Sequence, residues 1–290
     1  MLALFFNLFV IPLFAQLPPK VTNDDLFGKD CYYLKQAPKD KIIKGILVLI
    51  PGYGEHPYAV SAQTTILQEA ENNSLAVIMV NLTPNNQNFP IDANSISKLG
   101  EMIKHYYTQE KIPAIMPLYI GGFSIGGTAA LKFYGQKSNE FKISKVFAID
   151  PPLDMVRLRK SLLKGREKNL VTKLDSISPS KELVKGLQEL SVYNPDFTQQ
   201  EMLPNFTQTA LRIYAEPDIL WWVKNRSMDL SDMNITDCAG YINKLLQKDQ
   251  NQKIELLLTK DKGIRNGNQK HPHSWSIADP VDLINWLLKN

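Results

Sequence analysis

Residues 118–131 read Leu118-Tyr-Ile-Gly-Gly-Phe-Ser-Ile-Gly-Gly-Thr-Ala-Ala-Leu131. The segment begins with a short apolar run typical of a buried strand and ends with small residues typical of a closely packed helix. Between them lies Gly-x-Ser-x-Gly, centred on Ser124, with glycines where side chains would collide with the neighbouring strand and helix. A serine in such a turn projects its hydroxyl above the sheet. We therefore predict that Ser124 is a nucleophile; the alternative is a glycine-rich turn whose serine only caps the helix.

Similar apolar runs recur along the chain and alternate with segments whose apolar residues have helical spacing. The predicted strands comprise residues 44–50, 75–81, 118–122, 145–150, 210–215 and 253–258. The predicted helices comprise residues 62–72, 95–111, 127–134 and 280–288. Strands this apolar, alternating with helices, predict an α/β fold with a mostly parallel, doubly wound sheet that is covered on both faces.

The alternation stops after the strand that ends at Asp150. Residues 151–206, approximately, contain no convincing strand and only helical pieces, such as 155–164 and 181–190. An insertion after the carboxyl end of a strand lies over the edge where such sheets bind ligands, so we interpret this one as a helical cap. It carries a basic cluster made up of Arg157, Arg159, Lys160, Lys164, Arg166, Lys168 and Lys173. This cluster is either a solvated helix face or a surface that attracts an anion.

The composition excludes several classes of protein. The chain has 290 residues, of which 44% are apolar and 21% charged, as is typical of a globular domain. Its net charge of +4 is too small for a nucleic-acid binder. Cys31 and Cys238 have no metal-ligand spacing and form either a single bridge or two free thiols. No glycine-rich phosphate loop is present in the sequence, and His271-Pro-His273 has no accompanying cysteine or carboxylate cluster, so we expect no cofactor and no metal.

Residues 1–19 carry no charge, and their apolar run ends at the small residue Ala15. This stretch is shorter than the roughly 20 residues of a membrane span, and it fits the core of a signal peptide. No Lys or Arg precedes the run, although export signals normally have one there. We predict a removed signal peptide, an exported protein and a single domain over residues 20–290. A retained anchor, which alone would give stable membrane insertion, and a cytosolic protein are the alternatives.

From about Tyr32 to the C-terminus, apart from the cap, the sequence resembles the α/β-hydrolase superfamily in its serine esterase and lipase branch. The resemblance rests on Gly-x-Ser-x-Gly between a buried strand and a small-residue helix. It implies a catalytic acid and then a histidine after the serine in chain order, on loops that follow later strands. It also implies an oxyanion-hole loop after an early strand.

The resemblance favours His273 as the general base. His56 precedes the serine, and His105 lies within a predicted helix, where a surface role is expected. His271 and His273 both follow the last predicted strand, and His273 stands next to Ser274-Trp275 at the entrance of the last helix. Only one of two alternating neighbours can point towards Ser124, so His271 remains the alternative.

The resemblance places the acid just after the strand at residues 210–215, where Asp218 is the favoured candidate. Its carboxylate would hold one imidazole tautomer and stabilise the imidazolium. Glu216 in the same loop remains open. So does Asp150, because some members of the superfamily take their acid after the preceding strand; its other role would be to anchor the Pro151-Pro152 turn.

The oxyanion hole needs two backbone N–H groups. Ile125 supplies one because it follows the nucleophile, and Tyr53 in Pro51-Gly-Tyr-Gly-Glu55 is expected to supply the other. Many relatives have His-Gly at this loop; Pro51-Gly52 keeps the glycine but differs from the His-Gly-Gly-Gly esterases. Trp221 and Trp222 either line a substrate pocket or belong to the core.

The sequence as a whole predicts an exported serine hydrolase that cleaves a small-molecule carboxylic ester, or less readily an amide, through an acyl-enzyme on Ser124. A non-catalytic binding protein with the same fold and an acyltransferase with the same three residues are the alternatives. The substrate itself cannot be read from a fold-level resemblance.

Overall fold

The computed structural model describes residues 18–39, 42–265 and 267–289, and for Asn85 the backbone only. Residues 1–17 of the predicted signal peptide lie outside this part of the chain, so cleavage and export stay predictions. Within the described ranges, no helix has the length and apolar character needed to cross a membrane.

The strands are Lys20–Thr22 (β1), Tyr32–Gln36 (β2), Gly45–Ile50 (β3), Leu75–Asn81 (β4), Leu118–Phe123 (β5), Ile143–Ile149 (β6), Ala210–Ala215 (β7), Ile254–Leu258 (β8), Ile264–Arg265 (β9) and Gln269–Lys270 (β10). The α-helices are Asp24–Phe27 (α1), Ile66–Asn72 (α2), Ala93–Gln109 (α3), Ile125–Lys137 (α4), Met155–Lys164 (α5), Lys168–Ser176 (α6), Leu183–Leu190 (α7), Ile219–Arg226 (α8), Asn234–Lys248 (α9) and Pro280–Leu288 (α10). Short 3-10 helices span Pro57–Ala62, Pro84–Asn86, Gln200–Met202, Leu230–Asp232 and Trp275–Ile277.

Eight of these strands form one sheet in the order β1-β2-β4-β3-β5-β6-β7-β8. The pairs β1-β2 and β2-β4 are antiparallel, and the remaining neighbours are parallel. β9 and β10 form a separate antiparallel hairpin. The predicted doubly wound, mostly parallel α/β fold is confirmed. The sequence did not predict β1, β2, the hairpin, α8 or α9.

Both faces of the sheet are buried. Successive side chains of a strand point to opposite faces, so in β4 Ile78 and Val80 join one apolar layer while Val77 and Met79 join the other. The first layer packs against α3, α4 and α9, and the second packs against α2 and α10. This two-sided burial explains why β3, β4 and β5 are continuous apolar runs rather than alternating ones.

The inserted segment after β6 contains α5, α6 and α7. Three of the seven side chains in its basic cluster form ion pairs: Arg159 with Asp175, Lys164 with Asp229 and Asp232, and Arg157 with Asp237. Arg157 is largely buried and lies 2.6 Å from Asp237 at the start of α9, so it holds the inserted segment onto that helix. Lys160, Arg166 and Lys168 are exposed and form no ion pair with a described residue, so this part of the cluster is a solvent-exposed face.

Helix α4 approaches β3 very closely. A Cβ atom on Gly126 would lie 2.1 Å from the carbonyl oxygen of Ile50, and one on Gly122 would lie 2.4 Å from the same atom. Carbonyl groups in the middle of a sheet cannot move away without breaking strand pairing. The absence of side chains at these glycines is thus what brings the start of α4 to the carboxyl end of the sheet.

We expect Gly126→Ala to lower the free energy of unfolding by about 3 kcal/mol or more, because a methyl group there overlaps rigid backbone. Gly135→Ala is the matched control on the same helix: nothing lies within 4 Å of its added methyl group, and Ala is the better helix former. It should raise the free energy of unfolding by about 0.5–1 kcal/mol. Urea unfolding measures both, and equal effects would contradict the packing argument.

We expect Asp237→Asn to lower the free energy of unfolding by about 3–5 kcal/mol, because it leaves the buried Arg157 guanidinium without its counter-charge. Asp261→Asn, which alters an exposed pair with Lys270, should change it by less than about 1 kcal/mol. Chemical denaturation of the two variants beside the wild type checks this difference. A cost below about 1 kcal/mol for Asp237→Asn would show that the ion pair does not hold the inserted segment.

Candidate active site

The carboxyl ends of the parallel strands β5, β6 and β7 meet at one edge of the sheet. Ser124 follows β5 directly and has the positive φ of 54° that a sharp strand-to-helix turn requires. Its N–H donates to the carbonyl of Ile149 at 2.8 Å, and its carbonyl accepts from Gly127. These bonds hold the turn in a sparsely populated backbone conformation and direct the serine hydroxyl towards the edge.

Ser124 lies at one end of a chain of three hydrogen-bonded side chains. Its Oγ is 2.9 Å from Nε2 of His273, and Nδ1 of His273 is 2.5 Å from Oδ2 of Asp150. With Nδ1 protonated, the imidazole donates to the carboxylate and Nε2 accepts from the serine hydroxyl. The structure thus brings together Ser124 and His273, which the sequence proposed, and of the three candidate acids it places Asp150 beside the histidine.

The prediction that Asp218 orients the histidine needs correction, because the carboxylate beside Nδ1 belongs to Asp150. Asp218 lies at the N-terminus of α8, where its Oδ1 accepts from the N–H of Trp221 and its Oδ2 pairs with Lys270 at 2.6 Å. The hydrogen bond from Lys270, with a smaller contribution from Trp221, lowers the pKa of Asp218. Helix capping and this ion pair account for its carboxylate.

Asp150 directly follows β6 and is buried, with a φ of 46°. Its N–H donates to the carbonyl of Tyr214 at 2.7 Å, and its own carbonyl accepts from the amide of Asn234 at 2.9 Å. Next along the chain, the N–H groups of Leu153 and Asp154 donate to the carboxylate of Asp237. The start of α9 therefore fixes the backbone of the loop that presents Asp150.

Glu216, the third candidate acid, is buried at the end of β7. Its carboxylate accepts from the hydroxyl of Thr259 and from the N–H groups of Lys262 and Gly263. These hydrogen bonds hold the loop that leads from β8 into the hairpin, and none of them involves His273.

The other three histidines do not contact Ser124. Tyr32 and Tyr33 place their hydroxyls 2.7 Å from Nδ1 of His56 and 3.0 Å from Nδ1 of His105. His271 stacks on Trp221, with ring centres 4.7 Å apart. Burial, with a smaller effect of Arg265, lowers the pKa of His271 to about 4. Of the two neighbouring histidines, His273 is the one that faces the serine.

The two residues predicted to supply oxyanion-hole amides, Tyr53 and Ile125, line the same cleft as Ser124. Ile125 is the first residue of α4, where amides have no acceptor within the helix. Beside Tyr53, the N–H of Gly52 donates to Glu55 and that of Gly54 donates to Asn86. In the described part of the chain, the N–H groups of Tyr53 and Ile125 themselves have no acceptor. Both remain available to a negatively charged oxygen beside Ser124.

Ser124 and His273 open onto a cleft of about 330 Å³ with mostly apolar walls. One wall comes from the inserted segment through Leu158, Leu162 and Leu170. Trp222 lines this cleft, whereas Trp221 lines a second, polar cleft next to it. Both tryptophans are partly exposed, so neither is a core residue.

The described residues contain no group of three or more His, Cys, Asp and Glu side chains that could hold a metal ion. Cys31 and Cys238 are both buried and free, which decides between the two alternatives left by the sequence. Each thiol instead contacts a backbone carbonyl, Cys31 that of Leu82 and Cys238 that of Pro151.

The chain matches no protein-family model, and no curated protein matches it. Solved structures do resemble it. A soluble variant of monoglyceride lipase from Saccharomyces cerevisiae matches with a TM-score of 0.58 and 15% identity, over 93% of this chain and 93% of that one. Est1E from Butyrivibrio proteoclasticus matches with a TM-score of 0.55 and 9% identity, over 94% of this chain and 99% of that one. Lipase A of Candida antarctica matches with a TM-score of 0.57 and 9% identity, over 80% of this chain and 69% of that one. At these identities the likeness concerns the fold alone, and it shows that this chain has the α/β-hydrolase fold.

Proposed function

We propose that this protein is a serine hydrolase that cleaves carboxylic esters through an acyl-enzyme on Ser124. The observation that carries the proposal is the hydrogen-bonded series from Ser124 Oγ through His273 to Asp150, with distances of 2.9 and 2.5 Å. A hydroxyl within reach of a neutral imidazole, whose other nitrogen is held by a carboxylate, is the arrangement that activates serine for attack.

In the first half of the reaction, Ser124 Oγ attacks the carbonyl carbon of the ester while its proton passes to Nε2 of His273. The charge that develops on the carbonyl oxygen is stabilised by the N–H groups of Tyr53 and Ile125. Collapse of the tetrahedral intermediate breaks the bond to the alcohol oxygen, which takes the proton from His273. Asp150 keeps Nδ1 protonated and stabilises the imidazolium while it carries both protons.

In the second half, water replaces the alcohol. His273 accepts a proton from the water molecule, which attacks the acyl carbon and forms a second tetrahedral intermediate at the same two amides. Its collapse returns the proton to Ser124 Oγ and releases a carboxylic acid. Apart from the water molecule, each step uses side chains and amides of this chain.

Three observations support an ester substrate of modest size. The cleft beside Ser124 has mostly apolar walls, which suit the hydrocarbon part of an ester. The inserted segment forms one wall and limits the length of substrate that can lie there. The solved structures with this fold include proteins named as a monoglyceride lipase and a lipase, whose names point to esters.

We expect a fluorophosphonate probe to label the wild-type protein on Ser124, because its hydroxyl is activated by His273. Ser124→Ala should abolish labelling, and His273→Ala should reduce it strongly. Ser161→Ala is the matched control, since Ser161 lines the same cleft but donates to the carbonyl of Asp232; it should label like the wild type. Mass spectrometry of the labelled peptide identifies the site. Labelling of Ser124→Ala, or none of folded wild type, would contradict the proposal.

We expect Asp150→Asn to lower kcat for a p-nitrophenyl ester by up to about 10⁴-fold, because an amide favours the wrong imidazole tautomer. Asp218→Asn should lower kcat by less than about tenfold, since it alters a helix cap and an ion pair. Proton NMR gives a second readout: the downfield signal of the Nδ1 proton should disappear in Asp150→Asn and persist in Asp218→Asn. The opposite ranking of the two variants would restore Asp218 as the acid.

A further inference from the structure

Arg265 lies at the wall of the cleft that contains Ser124. Its side chain comes from the two-residue strand β9, and its guanidinium carbon is 5.1 Å from the centre of the Phe123 ring. Phe123 directly precedes Ser124, and its ring centre is 4.5 Å from that of His273. Arg265 therefore stands on the histidine side of the serine, one aromatic ring away from the reacting groups.

The Arg265 guanidinium has no partner in the described part of the chain. Its Nε is buried without an acceptor, and neither of its terminal nitrogens is within hydrogen-bond or ion-pair distance of a described side chain or carbonyl. Contact with the face of Phe123 satisfies none of its five N–H donors. An arginine in this state costs free energy, since burial penalises the charge and lowers the pKa of Arg265.

The carboxylates nearest to Arg265 are already engaged elsewhere. Glu55 accepts from the N–H of Gly52 and from the indole of Trp275. Asp150 accepts from His273. Neither carboxylate lies within ion-pair distance of Arg265, although both act on its charge through space. Among the described residues the guanidinium therefore has no counter-charge, and it is free to bind a partner from outside the chain.

Arg265 also lines the second cleft, which it shares with polar and basic side chains. The lining residues are Trp221, Asn225, Arg226, Arg265, Gln269, Lys270 and His271. Lys270 is neutralised by Asp218 and Asp261, whereas Arg226 makes no ion pair within the described residues. Two guanidinium groups without counter-charges therefore border one polar cleft that meets the apolar cleft at Arg265. This arrangement suits a negatively charged group with several oxygen atoms.

We propose that Arg265 binds an anionic group, a carboxylate or a phosphate, on the alcohol portion of the ester substrate. The inference rests on the proposed esterase function and narrows its substrate class to anionic esters. The alcohol portion is assigned because His273 must protonate the leaving oxygen, which places the leaving group on the histidine side of Ser124. Arg265 is assigned to that side because it contacts Phe123, whose ring adjoins His273. The proposal assigns the acyl portion to the apolar wall formed by Leu158 and Leu162.

The test compares esters that differ only in this charge. Butyrate esters of 4-hydroxyphenylacetate and of 4-hydroxyphenylacetamide have the same shape and nearly the same leaving-group chemistry, and only the first is anionic. The butyrate ester of 4-hydroxybenzylphosphonate supplies the phosphate-like arm. Each is assayed with wild type, Arg265→Gln, Arg265→Lys and the control Lys224→Gln, which removes an exposed positive charge of α8 that borders neither cleft.

The quantity measured is the ratio of kcat/KM for the anionic ester to that for the amide. We expect Arg265→Gln to lower this ratio by about 10-fold to 100-fold, because hydrogen bonds to a charged group strengthen binding by about that factor. Arg265→Lys should give an intermediate ratio, since it keeps the charge but loses the planar fork. Lys224→Gln should stay within about twofold of the wild type, as expected for an exposed charge. Whichever of the carboxylate and phosphonate esters has the larger ratio identifies the preferred anion.

An unchanged ratio in Arg265→Gln would overturn the proposal, and so would a wild-type enzyme that hydrolyses neither anionic ester faster than the amide. Failure of the esterase proposal looks different, because wild type would then hydrolyse none of the esters. In that case calorimetry with Ser124→Ala still tests whether Arg265 binds an anion. The 4-hydroxyphenylacetate anion should bind more tightly than the amide, and Arg265→Gln in the same background should remove the difference. Equal binding of anion and amide would refute the site.

Discussion

The close contact between the first turn of α4 and the end of β3 is the constraint on which the rest of the site depends. With no side chain at Gly122 or Gly126, the helix starts directly against the Ile50 carbonyl, and Ser124 is forced into its positive-φ turn. Such a backbone costs about 1–3 kcal/mol and persists only where its surroundings impose it. In return, one turn positions both the serine hydroxyl that we propose as the nucleophile and the amide of Ile125 that we propose as one oxyanion donor.

The carboxylate that contacts His273 could not be identified from the sequence alone. β6 and β7 are parallel neighbours, and both end in carboxylates at the same edge, so chain order leaves Asp150, Glu216 and Asp218 as candidates. The choice among them depends on partners far away in sequence. Asp218 forms an ion pair with Lys270, and Glu216 accepts hydrogen bonds from the N–H groups of residues 262 and 263. Such contacts leave no local signal. The one available sign was that Asp150 directly follows a buried strand.

The features that could be predicted from sequence are those that local chemistry determines. Buried parallel strands need continuous apolar runs, and the turn at Ser124 needs glycines, so the central strands and the position of Ser124 follow from local patterns. The choice of His273 comes from the family resemblance. The antiparallel β1-β2 edge and the hairpin of β9 and β10 lack such patterns, because they are short and partly exposed. Arg265 lies in that hairpin, and Arg157 pairs with Asp237, which is 80 positions away in sequence. The contacts of these two arginines could therefore not be predicted from neighbouring residues.

The start of α9 links the proton-transfer groups to the wall of the cleft. Asn234 binds the carbonyl of Asp150, while Asp237 binds the loop after it and the guanidinium of Arg157 in α5. The acid and the inserted segment are therefore attached to the same helix end through separate hydrogen bonds. Leu158 and Leu162 face the cleft from the helix that Arg157 secures. Changes at these two positions can reshape the cleft without disturbing the bonds that place Asp150, because none of those bonds passes through their side chains. In the proposed reaction, substrate selection and proton transfer would thus share one anchor but depend on different side chains.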